Sequence, residues 1–150
     1  MPSIAFIRSF TDEPNNQIMN ALIDTVCMIR KHIREQQEFI TDLKSDLTTK
    51  LKDMDSNIDL FLDYVCVIFH DVDDKSIKDI FKYDDKFYGF IKKLYLSCYD
   101  AYVIAIKLQK KGHKFKEEDL VGILNMSFVF LKGSVAFIDK IKFSDILNNA

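Results

Sequence analysis

Apolar residues recur through the first third of the chain at Ile18, Leu22, Val26, Ile29, Ile33, Ile40, Leu43, Leu47, Leu51 and Met54. The steps alternate between three and four, with Gln36 in the one missing slot and two successive steps of four around Leu47. Such a heptad-like stripe with a single stutter predicts a long amphipathic helix near the N-terminus. Thr11 stands as its N-cap, followed by Asp12, Glu13 and Pro14, because acids complement the helix dipole in the first turn and proline is tolerated there. About 40 residues of helix would extend about 60 Å at 1.5 Å per residue. A globule of 150 residues, with a radius of gyration of about 15 Å, is only about 40 Å across. The stripe therefore either breaks near Thr48–Thr49 or belongs to an elongated bundle.

Further along, Ser56 and Asp59 read as a capping pair that opens a second segment through Phe61, Val65 and Phe69. The polar stretch His70 to Lys75 closes it, and a short amphipathic turn follows at Ile77, Ile80 and Phe81. From Asp84 to Lys111 the apolar residues cover more than half the circumference of a helix, as in a central bundle helix. Lys107, Lys110 and Lys111 before Gly112 mark its end. In the last third, Lys116-Glu117-Glu118-Asp119 reads as a helix start, and a helical period runs from Leu120 to Ile141. Gly133 interrupts that period, so two helices separated near Gly133 are expected, with a hairpin of Ser127–Leu131 and Ser134–Ile138 as the alternative. Residues 1–10 read as an apolar arm or short strand. Between Pro14 and Gly89 there is no proline or glycine, a scarcity that favours helices over strands. The expectation is one all-α domain over residues 1–150, a bundle of about five helices.

Composition narrows the function. With 48 % hydrophobic and 13 % aromatic residues the chain carries ample core material, which excludes intrinsic disorder. Lys and Arg total 21 against 23 Asp and Glu, and only Arg8, Arg30 and Arg34 are arginine, so nucleic acid is not an expected partner. The longest uninterrupted apolar runs, Tyr64–Phe69 and Ala101–Ile106, are far short of the roughly 20 residues of a membrane span, so no membrane is expected. Cys27, Cys66 and Cys98 are widely spaced, lie in apolar stretches and have no clear cationic neighbour; they read as core thiols of a cytoplasmic protein. No glycine-rich phosphate loop and no G-x-S-x-G sequence occur, and no cofactor is expected.

One string carries a chemical hint. Val67-Ile68-Phe69-His70-Asp71-Val72 resembles the His-Asp core of the HD-domain metal-dependent phosphohydrolases, an all-helical family. The resemblance implies a divalent metal held by His32, His70, Asp71 and Asp139, or Asp145 as the late carboxylate, that activates water towards a phosphate. Asp73 and Asp74 stand where that family carries a glycine and a basic residue. The cluster Asp71, Asp73, Asp74 also lacks the glycine and terminal glutamate of a calcium loop, and reads as a solvated turn.

The leading expectation is instead a non-catalytic protein-binding module. Its candidate surface combines the acidic groups Asp71, Asp73, Asp74, Asp84 and Asp85 with Tyr95, Tyr99 and Tyr102, which share one helical face. A basic protein suits such a surface, and an inhibitor or toxin-neutralising immunity protein is the concrete form of that expectation. A third reading is a self-assembling bundle, a homodimer joined along the stripe from Leu22 to Met54.

Overall fold

A computed structural model of the chain describes residues 14–40, 46–71, 77–115 and 120–148. Five helices occupy almost all of them: α1 (Pro14–Ile40), α2 (Asp46–Asp71), α3 (Ile77–Tyr83), α4 (Asp85–Lys110) and α5 (Leu120–Asn148). No strand occurs among the described residues, and the all-α bundle is the architecture observed. The expected cap at Thr11 and the arm at 1–10 lie outside the described residues.

The N-terminal stripe is shared between two helices. Arg30 donates to Asp59 at 3.0 Å and Arg34 to Asp55 at 3.1 Å, so positions advance along α1 as they recede along α2. α1 and α2 thus pack antiparallel. Folding back buries both halves of the stripe: Leu22, Val26, Ile29 and Ile33 from α1 meet Leu47, Leu51 and Met54 from α2 in one core. Gln36 takes its place in that row and is fully buried. Thr48 and Thr49 lie within α2, so the break expected there falls earlier. Ser56 is also interior to α2, and the Asp59 carboxylate is committed to Arg30 rather than to a cap. In the homodimer seam expected along Leu22 to Met54, the described apolar side chains Leu22, Val26, Ile29, Ile33, Leu47, Leu51 and Met54 face the chain's own core.

The centre of the bundle is aromatic. Phe61 of α2, Phe81 of α3 and Phe87 of α4 are the largest fully buried side chains. Their rings meet at 5.7 Å (Phe61–Phe87) and 5.8 Å (Phe81–Phe87), and Phe137 of α5 adds an edge contact to Phe81 at 6.0 Å. Each such burial contributes about 1.5–3 kcal/mol, with ring geometry adding about 0.5–1.5 kcal/mol per pair.

The ends of α4 follow local rules closely. Asp84 caps its start, accepting from the Phe87 N–H at 2.8 Å. At the other end Gly112 takes φ of 90°, its N–H bonding to the Gln109 carbonyl while the His113 N–H bonds to that of Leu108. That pair of bonds is a Schellman stop, which requires a left-handed residue.

α5 departs from expectation. It runs unbroken from Leu120 to Asn148, through Gly133. The buried row Leu120, Leu124, Ser127, Leu131, Ser134 and Ile138 alternates by four and three and packs the helix into the bundle. Ser127 and Ser134 donate to the carbonyls of Ile123 and Phe130, four residues back, at 2.6 and 3.0 Å. Their hydroxyls are thereby satisfied inside the helix, so neither acts as a turn residue. A tertiary row of that length outweighs the roughly 1 kcal/mol that an interior glycine costs.

Two glycines separate these effects. Gly112→Ala places a β-carbon on a left-handed residue and lowers stability by about 1–2 kcal/mol. Gly89→Ala, in a helix interior with open space around the new methyl, raises it by about 0.5–1 kcal/mol. Urea denaturation of the two variants, with unchanged slope, checks both signs.

Candidate binding surface

The residues expected to form an acidic and aromatic surface turn out to have separate duties. Asp84 caps α4 and also accepts the Tyr64 hydroxyl at 2.7–2.8 Å, joining α2 to the start of α4. Burial first, and the Asp84 carboxylate second, push the Tyr64 phenol from 10.0 up to about 12. Lys86 lies over the same ring at 5.0 Å. Asp85 is paired with Lys142 of α5 at 2.9 Å. Tyr95 and Tyr102 are half-buried against the core. Tyr102 and Tyr99 both touch Phe128 of α5, at 5.0 and 5.3 Å, and of the three tyrosines only Tyr99 is exposed. Tyr99 and Tyr102 thus serve the α4–α5 contact. Asp73 and Asp74, and the side chain of Asp71, lie outside the described residues.

The metal set implied by the His-Asp string is spread over three helices. His32 lies on α1 with Glu35 at 3.7 Å, Asp139 on α5 accepts a hydrogen bond from Tyr88, and His70 and Asp71 end α2. The side chains of His70, Asp71 and Asp145 lie outside the described residues. Among the described residues no three His, Cys, Asp or Glu side chains cluster as a metal would need. His113 is half-buried, its ring edge-on to Phe115 at 4.7 Å and its Nε2 buried without a hydrogen-bond partner among the described residues.

The thiols differ from one another. Cys98 is buried, donates to the Leu124 carbonyl at 3.4 Å and is pushed by burial to about 12. Cys66 is buried and raised by the same cause. Cys27 is only half-buried and lines an open cleft of about 470 Å³ with Arg30, Lys31, Arg34 and Glu35. Its cationic neighbours were legible in the sequence: on a helix, positions three and four ahead of Cys27 are Arg30 and Lys31.

What the sequence pattern did not single out is the outward face of α5. Directly opposite its buried row run Gly122, Met126, Val129, Gly133 and Ala136, all exposed. Met126 is 68 % and Val129 55 % exposed. From Leu120 to Phe137 the only charge is Lys132. Among the described residues no side chain approaches Gly122 or Gly133: a β-carbon at either would meet nothing within 4 Å. Beside this stripe, Ile18 and Ala21 of α1 and Phe130, Gly133, Ser134 and Phe137 of α5 enclose an apolar cleft of about 530 Å³. Leu120–Phe143 has a mean hydropathy of 1.8 and is the one stretch among the described residues that is long and apolar enough to cross a membrane, a property it shares with core helices of soluble proteins. Only a third of an 18-residue window of it is buried. A count of unbroken apolar runs misses it because Gly122, Asn125, Ser127 and Lys132-Gly133-Ser134 cut it into short pieces, with Lys132 the only charge among these interruptions. An apolar strip rimmed by polar groups such as Asn125, Lys132 and Asp139 has the composition of a protein-docking surface.

No family model, curated protein or solved structure matches this chain.

Two measurements follow from these geometries. In the folded protein a thiol reagent modifies Cys27 first, and Cys98 reacts only after unfolding; equal rates for the two would contradict the burial described. The folded state also holds the Tyr64 proton more tightly than the unfolded state. Stability from that phenol is complete below 10.0 and is lost as pH rises through about 12. An alkaline titration followed by phenolate absorbance shows a late tyrosine that is missing in Tyr64→Phe. In Asp84→Ala it moves down, and about 1–2 kcal/mol of stability goes with the cap and the unpaired hydroxyl.

Proposed function

We propose that the chain is a non-catalytic protein-binding module that works through the outward face of α5. The observation that carries this reading is the exposed, uncharged row Gly122, Met126, Val129, Gly133 and Ala136 on a helix whose opposite face already packs the core. Contiguous apolar surface of this kind is costly to leave in water, and a partner that covers it recovers about 25 cal/mol per Å². The half-buried phenylalanines of the neighbouring cleft, Phe130 and Phe137, offer the aromatic anchors that concentrate binding energy at interfaces.

The narrower role of toxin-neutralising inhibitor rests on the acid excess, a net charge of −2, and on the carboxylates outside the described residues. Asp84 no longer supports it, since its oxygens serve Tyr64 and the Phe87 N–H. The phosphohydrolase reading has the His70-Asp71 dipeptide as its support.

Affinity capture of the tagged chain from its native source, followed by mass spectrometry, tests the proposal. A stoichiometric protein partner is expected, either another polypeptide or untagged copies of the chain itself. Its loss in Val129→Asp, with helicity by circular dichroism unchanged, places it on α5. Capture unaffected by Val129→Asp would put binding on another face and overturn the assignment.

A further inference from the structure

We draw no further inference here: the strongest candidate, the apolar cleft between α1 and α5 beside the exposed row of Met126 and Val129, carries nothing beyond the binding surface already described, because nothing in the structure shows what covers it.

Discussion

The bundle depends on α4 being held at a fixed start against α2, and one carboxylate does this. Asp84 closes the first turn of α4 through the Phe87 N–H and anchors the Tyr64 hydroxyl of α2 with the same side chain. Phe87 follows directly, fully buried between Phe61 and Phe81, so the polar latch and the aromatic centre are three residues apart on one helix. A shift of α4 by even one residue would break the cap, free the phenol and pull Phe87 out of its ring contacts together. The latch is worth little as a hydrogen bond counted alone, about 1 kcal/mol. Its importance is that it sets the register in which much larger apolar burials fall into place.

With α4 fixed, the placement of α5 follows. The Schellman stop at Gly112 turns the chain back, and α5 lies against α4 with Asp85 opposite Lys142, Tyr99 opposite Phe128 and Cys98 opposite Leu124. These contacts run antiparallel along most of both helices, and they take up one side of α5. The short helix α3 and the N-terminal turns of α1 reach its flanks through Phe81 and the cleft beside Phe137. The remaining side has no covering element among the described residues. A helix apolar on two opposite faces is ordinarily a central helix with neighbours on both. Here it stands at the edge of the bundle, and that mismatch between composition and position is the physical basis of the functional proposal.

Catalysis has less behind it. The thiol most protected by its surroundings, Cys98, is also the one least able to form a thiolate, because burial raises it to about 12. Several half-buried or buried hydroxyls are occupied with structure: Ser127 and Ser134 return theirs to their own helix, and Tyr64 is spoken for by Asp84.

The sequence by itself determined the helical class, the extent of α4 and the two rows that became its neighbours' cores. Those features depend on periodicity and caps, which are local: Asp84, the lysines before Gly112, and the three-and-four spacing act within one or two turns. The expected outline of α4, Asp84 to Lys111, matches its cap and stop. Tertiary structure decided where continuous periodicity is cut and where an interruption is ignored. The stripe through Leu22 and Met54 reads as one helix, yet it is divided between the antiparallel α1 and α2, which buries both halves as no straight helix would. Gly133 reads as a break, yet the row from Leu120 to Ile138 carries the helix across it. Which of two similar apolar faces of α5 becomes core was also beyond periodicity, because Leu124 and Met126 satisfy the same spacing rule. Only the arrival of α4 against one of them made that one the interior and left the other facing water.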